Sequence, residues 1–438
     1  MFILLNNSIQ LFFVFCGLVI FFLVSWRRLD FGLSLVIFLA PLYLLKIVIG
    51  WLPLTVLELL ILAVLAVWLV KKTLAGFSFD LFRRFGFWEF SFPALLVLIG
   101  IFISTLASAD LRVSAGIFKS WFVEPIIFSL LVVDTAKNSR QARNLLLAAV
   151  FSGVAVAAIG LGYLLAGDLT FDGRLKAFYL SPNHLAMYLA PALLLVIGFL
   201  VGAKNFWQKI LLVVSGWLLA VSIYYTFSYS AWLAIVAALI FMFLASYKFK
   251  LIANRKIAIG GLAIVLFVFL FLILFQWGDV KLGNLLKFDR SSLESRLMVW
   301  RAGWQIIKDH WLLGIGPGEF QKYYLDYQKF FKTPYLEWAV TQPHNLFLAF
   351  WLQTGIFGLV GFIWLIVNFF KKTFNFLKQK TSFAEASEAR QPLAVTLMAV
   401  IFYILAHGLA DTTYWKNDLA LMFWLIITLC YTVVRLRD

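Results

Sequence analysis

The stretch TQPHNLFLAFWLQTGIFGLVGF, residues 341–362, opens with a Pro-His-Asn turn and then stays apolar on every side of a helical wheel. A helix without a polar face has to be buried or to sit in lipid. The apolar run extends over 344–369, enough to cross the ~30 Å of hydrocarbon in a bilayer. Similar runs lie near 8–25, 31–50, 53–70, 92–108, 113–133, 144–166, 182–202, 209–227, 229–246, 257–277, 391–409 and 418–434. The chain has 438 residues, is 63% hydrophobic and has a mean hydropathy of +0.95. No soluble globular protein hides that much apolar surface. The expectation is an all-α polytopic membrane protein of about 12–13 transmembrane helices. It forms one domain over 1–438, with a long loop at 278–343 that carries amphipathic helices.

The net charge of +16 does not point to nucleic acid, because basic residues follow alternate spans instead of clustering on one domain. Of 37 Lys and Arg, 22 fall on one side, in groups such as Arg27/Arg28, Lys71/Lys72 and Lys371/Lys372/Lys378. Six fall on the other side: Lys46, Arg112, Lys119, Arg174, Lys176 and Lys416. The positive-inside rule makes the richer side cytoplasmic and leaves the N-terminus outside. The first span has no basic segment before it and is followed by Trp-Arg-Arg, which reads as a retained helix. The other nine basic residues lie in the 278–343 loop, which this topology places outside. Cys16 and Cys430 both fall inside spans, so there is no disulfide framework and no metal-type cysteine spacing.

Within the long loop, Leu293, Leu297, Trp300, Trp304, Ile307 and Trp311 recur at helical spacing. Arg296 flanks one edge of this seam, and Arg301 and Lys308 flank the other, as in a helix lying among lipid headgroups. The alternative is a helix that packs on the bundle with solvated charges. The segment ends in GIGPG, 314–318, whose glycines permit a tight turn with exposed N–H groups. It is no nucleotide loop, since no Gly-Lys-Ser/Thr accompanies it. A second outer loop, 167–190, brings Arg174 to a Pro-Asn helix start that also carries His184. Arginine offers paired donors that match phosphate, so Arg174 and Arg296 can clamp a diphosphate from two sides, or can act as interfacial anchors.

On an ideal helix His344, Gly355 and Gly358 share one face. Two small residues there leave a groove for a neighbouring helix or an acyl chain, with the imidazole at its mouth. That places a general base for a hydroxyl nucleophile at the water boundary; the plainer reading is a polar cap above a packing face. Elsewhere Glu58 can pair with Lys46, and Glu124 with Lys119. Asp411 stands with His407 at the outer end of a span, where it can line an acceptor cavity.

Together these residues resemble the O-antigen ligase/polymerase family of bacterial membrane glycosyltransferases. That family's outer loop ends in His, then Asn, Ser or Gln, then nine residues and Gly-x-x-Gly. Here His344-Asn345 is followed by nine residues and Gly355-Ile356-Phe357-Gly358. SRLMVWRAGWQIIKDHWLLGIGPGEF, which contains Arg296 and Arg301, is similar to its Arg…Trp…Gly-x-Gly segment, and GRLKAFYLSPNHLA to its earlier Arg-bearing loop. The resemblance implies transfer of a glycan from a polyprenyl-diphosphate carrier to a hydroxyl of a glycan, lipid or protein acceptor. The reaction would take place on the outer face of the bacterial cytoplasmic membrane. It implies His344 as base, inversion in a single displacement, and substrate contacts from Arg174, Arg296, Arg301, Asn345, Gly355, Gly358 and Asp411. The loops hold no Asp-x-Asp pair, so neither metal nor cofactor is expected. The rival class is a transporter or flippase of lipid-linked glycans, but the paired, interrupted halves common in transporters are not evident.

Overall fold

The computed structural model describes residues 3–4, 8–49, 52–74, 86–252, 255–275, 292–328, 340–379 and 384–435. Their helices are α1 (Ser8–Arg27), α2 (Leu29–Phe38), α3 (Val56–Leu74), α4 (Trp88–Leu106), α5 (Leu111–Thr135), α6 (Ser139–Leu165), α7 (Pro182–Gly202) and α8 (Phe206–Tyr225). There follow α9 (Tyr229–Lys248), α10 (Arg255–Phe275), α11 (Ser292–His310), α12 (Phe320–Gln328), α13 (Leu346–Lys378), α14 (Ala384–Gly408) and α15 (Asn417–Arg435). Among the described residues ten helices are long and apolar enough to cross a membrane, so the protein is an all-α polytopic membrane protein.

Of the thirteen expected spans, 53–70 and 257–277 fall on the helices α3 and α10, and one, 31–50, differs. The 31–50 run is not one helix: α2 stops at Phe38, a 3-10 turn covers Ala40–Leu44, and β2 (Leu45–Ile49) pairs antiparallel with β3 (Leu52–Thr55). Pro41 lacks an N–H and its ring clashes with the preceding turn, so the helix cannot continue. A broken helix at membrane depth leaves carbonyls that lipid cannot satisfy. Here the Ser152 hydroxyl donates to the Phe38 carbonyl at 2.6 Å and is itself 2.7 Å from the Tyr188 hydroxyl. A short β1 (Ile3–Leu4) adds in parallel to β2. α3 carries Glu58 in its first turn and Lys71 and Lys72 in its last, and α10 has Ile259–Phe271 as its apolar stretch.

α15 is apolar all round and lies at the centre of the bundle, buried from Asn417 to Val433. Aromatic rings pack around it: Phe350 stacks on Phe362 with centroids 4.0 Å apart, and Phe362 meets Phe423. α13 runs along α4 so closely that a Cβ on Gly100 would strike the Gly358 backbone, and one on Gly361 would lie 2.8 Å from the Pro93 carbonyl. Small residues permit this backbone approach. Glu58 and Thr55 cap α3 reciprocally, and Glu58 takes its ion pair from Lys119 at 2.9 Å where Lys46 was the expected partner.

α11 is helical as its spacing predicts, but among the described side chains of the expected seam only Ile307 is buried. Val299, Ala302, Ile306 and Ile307 are buried, in a small second core with Ile315, Phe320, Tyr324 and Leu352. Leu297, Trp304 and Trp311 are exposed, Trp311 lies past the helix end, and the side chain of Leu293 falls outside the described residues. The helix carries two apolar stripes, and the one matching a partner core is the one buried.

Candidate active site

The N-terminus of α13 is set by Asn345, whose Oδ1 accepts from the Leu348 amide at 3.0 Å while its Nδ2 donates to the Leu409 carbonyl at 3.0 Å. Both polar atoms of Asn345 are therefore engaged in positioning. His344 precedes the helix in a left-handed conformation, φ 46°, which histidine adopts more readily than most residues. Its carbonyl accepts from Trp300 Nε1 at 3.2 Å, which ties it to α11.

The ring of His344 meets Asp411: Nδ1 lies 3.2 Å from Oδ1. Asp411 sits in the turn between α14 and α15 and is 4% exposed. Its Oδ1 also accepts from the Thr412 amide at 2.8 Å, Oδ2 accepts from Asn183 Nδ2 at 2.9 Å, and Arg296 Nη2 stands 3.9 Å from Oδ2. Burial pushes this carboxyl up, but the hydrogen bond from His344 and the neighbouring Arg296 charge outweigh it and hold it below the usual carboxylate range. A carboxylate that also accepts from the Thr412 amide and Asn183 Nδ2 bonds His344 through a proton on Nδ1. In a neutral ring that leaves Nε2 as the basic nitrogen. The side chain is 32% exposed, so the ring is within reach of solvent.

Arg174 completes the group. Its Nε donates to the Thr226 carbonyl at 2.7 Å and its Nη2 to Asn183 Oδ1 at 2.7 Å. Asn183 thus bridges Arg174 and Asp411. Burial pulls the Arg174 guanidinium below its ordinary value, while Asp172 and Asp411 oppose that. His407 lies behind, between the Ser230 hydroxyl at 3.2 Å and the Tyr403 hydroxyl at 2.9 Å. His184 is buried and paired with Asp418 at 3.3 Å, away from this group.

The structure brings Arg174, Arg296, His344 and Asp411 together and assigns the glycines differently. His344 is not helical, so the single-face alignment with Gly355 and Gly358 does not apply. Gly355 has φ 65° and ψ −173°, a break inside α13 that only glycine accommodates. At this break two backbone groups of α13 bond to the loop. The Leu352 carbonyl accepts from the Ile315 amide at 2.6 Å, and the Ile356 amide donates to the Leu312 carbonyl at 3.1 Å. The GIGPG turn therefore docks into α13 and does not present open N–H groups: Gly316 N donates to Ser104 Oγ at 3.1 Å and Gly318 N to Gln353 Oε1 at 3.0 Å. Gly355 receives this loop and Gly358 receives α4, so neither lines an acyl groove.

The groove lies on another side of α13. Leu297, Trp300, Arg301, Trp304, Asn345, Leu348, Trp351, Leu359 and Ile363 line a cavity of about 780 Å³ that starts beside His344 and descends along the helix. Arg301 is at its rim, and Trp304 meets Trp351 edge to face with centroids 5.8 Å apart. The exposed Trp seam of α11 is one wall of this groove.

Sequence reasoning did not single out Asn183, Thr226 or Ser230. Asn183 had registered only as part of a Pro-Asn helix start, and its bridging role depends on a contact with a residue 228 positions away.

Comparison with known families matches residues 214–363 to the family described as O-antigen ligase. The matched segment contains Arg296, Arg301, His344, Gly355 and Gly358, while Arg174, Asn183 and Asp411 lie outside it. Comparison with curated proteins finds no match.

Proposed function

We propose, from the premise that this chain is O-antigen ligase-like through residues 214–363, that it transfers a glycan from a polyprenyl-diphosphate carrier to a hydroxyl acceptor. The observation that carries the reading is the His344–Asp411 pair, with Arg296 beside the same carboxylate and Arg174 joined to it through Asn183. His344 Nε2 takes the acceptor's proton as its oxygen attacks the anomeric carbon, and Asp411 holds the tautomer and balances the imidazolium. The bond from the anomeric carbon to the diphosphate breaks in the same displacement, which inverts the configuration. Charge builds on the leaving diphosphate, and the guanidinium charges of Arg296 and Arg174 compensate it in a site of low dielectric without a metal. The apolar groove beside His344 has the character of a seat for the polyprenyl tail, with Arg301 toward the headgroup layer.

The testing experiment offers a defined polyprenyl-diphosphate glycan to the purified protein with lipid, glycan and protein acceptors in turn. Covalent transfer to one of them with inverted configuration is expected. Movement of the donor between leaflets with no transfer to any acceptor would replace the reading with that of a flippase.

Arg296→Lys is expected to transfer about 10–100-fold more slowly, because an ammonium cannot reproduce a two-pronged contact with phosphate and loses on the order of 1.5–3 kcal/mol. Steady-state rates at varied donor concentration measure this, and a wild-type kcat/KM would remove Arg296 from the site.

The site faces outside the bacterial cytoplasmic membrane on this reading. In a background with Cys16 and Cys430 replaced by Ser, cysteine at Leu325 is expected to label from outside a sealed cell and cysteine at Asn375 is not. The reverse pattern would invert the topology.

A further inference from the structure

The end of the bundle opposite His344 carries a second polar cavity. Past the break at Gly355, α13 continues for the 23 residues 356–378, about 35 Å of helix at 1.5 Å per residue, against ~30 Å of hydrocarbon. Its last turns therefore extend into the headgroup layer. There Asn368, Lys371, Lys372, Asn375 and Gln379 repeat at helical spacing on one face. Between this face, Glu89 near the start of α4 and Arg435 at the end of α15 lies a cavity of about 420 Å³.

Its charge is unbalanced. Among the described residues the lining holds three cations, Lys371, Lys372 and Arg435, and one carboxylate, Glu89. Glu89 is committed to Lys372 at 2.7 Å, which leaves the charges of Lys371 and Arg435 with no carboxylate in the lining to offset them. Arg435 and Lys372 both stand over the ring of Tyr431, at 4.7 and 5.0 Å from its centroid. That ring fixes two of the cations at the cavity wall. Beneath, a narrow apolar crevice shares Glu89, Asn368 and Lys372 with the cavity and continues between Phe90, Leu365, Phe369 and Ile427. The layering is that of an amphiphile: a cationic cleft at headgroup depth opening onto an apolar crevice.

We infer that this cavity binds the phosphate of an anionic lipid headgroup. Arg435 offers a planar fork to the phosphate, Lys371 a mobile point charge, and Asn375 and Gln379 offer amide donors to headgroup oxygens. Lys and Arg near an anionic membrane surface attract it by ~1 kcal/mol each wherever they stand. The specific claim is that Lys371 and Arg435 count for more than a cation placed outside the cavity. Lys378, on the same helix and outside the lining, is that control. The site is remote from His344 and does not depend on the transfer reaction.

The test places the full-length protein in bilayer nanodiscs of phosphatidylcholine with rising fractions of phosphatidylglycerol. It reads bound lipid by native mass spectrometry and thermal stability in parallel, with a separate arm of phosphatidylcholine discs titrated with inorganic phosphate. Wild type is expected to retain phosphatidylglycerol and to gain Tm. The Lys371→Ala/Arg435→Ala double variant should bind it more than about 30-fold more weakly, and Lys378→Ala no more than about 5-fold, the share of any cation at the surface. Equal stabilisation by inorganic phosphate supports the phosphate site and assigns it to a soluble source. An unchanged response in the double variant, or an equal loss in Lys378→Ala, would overturn the proposal.

Discussion

His344→Ala protein should insert, fold and bind the lipid-linked donor as wild type does, and should transfer glycan at least about 10²–10⁴-fold more slowly. The imidazole is 32% exposed and its removal leaves the Trp300 bond to the His344 carbonyl in place, so folding has little reason to suffer. What disappears is the proton acceptor. Asp411→Asn is the companion: the amide keeps the shape but not the charge, and its N–H₂ would face that of Asn183. Loss of the charge that orients and balances the histidine should lower kcat strongly while donor binding changes less. Single-turnover transfer and a direct donor-binding assay separate the two effects. Near wild-type transfer by purified His344→Ala would return the histidine to the role of a polar cap.

Gly355→Ala should fail more broadly, in stability as well as in transfer. A Cβ at φ 65°, ψ −173° is strained wherever it points, and here it would also run into the Leu312 and Leu313 backbone. The cost is on the order of 3–5 kcal/mol, from the strained backbone together with the two buried loop bonds it puts at risk. The expected signature is a lowered Tm and protease sensitivity in the α11 region, with α13 still inserted. Gly358→Ala should differ in kind, because its Cβ would meet the Thr354 side chain one turn back on α13 and not the loop backbone. A Gly355→Ala protein with wild-type Tm and transfer would show that the break is not needed to seat the loop.

The all-α membrane bundle was legible because lipid imposes long apolar runs, and Arg174, Arg296, His344 and Asp411 stood out as polar groups in loops or near span ends. The 31–50 segment was misread because hydropathy cannot tell a helix from a hairpin, and Pro41 was the one local sign of a break. On α11 two apolar stripes compete, and choosing between them requires knowing that Phe320, Tyr324 and Leu352 wait on one side. The GIGPG amides looked open because their acceptors, Ser104, Leu352 and Gln353, come from distant segments. Gly355 and Gly358 were paired by spacing on an ideal helix, whereas a glycine in a non-helical conformation ends the periodicity that the argument assumed.

In an unbroken helix the Ile356 amide would be held by the Leu352 carbonyl within its own segment. Here that amide and the Ile315 amide are held reciprocally across the joint between loop and helix. Neither bond can open by local fraying of α13, since each requires the other segment to withdraw. The two amides therefore share one opening event, and in hydrogen exchange they act as a paired clock for undocking of the loop. Trp300 on α11 grips the His344 carbonyl and Arg296 on the same helix faces Asp411, so the expected result of a ligand that holds Arg296 is slower exchange of both amides together, at a distance from either.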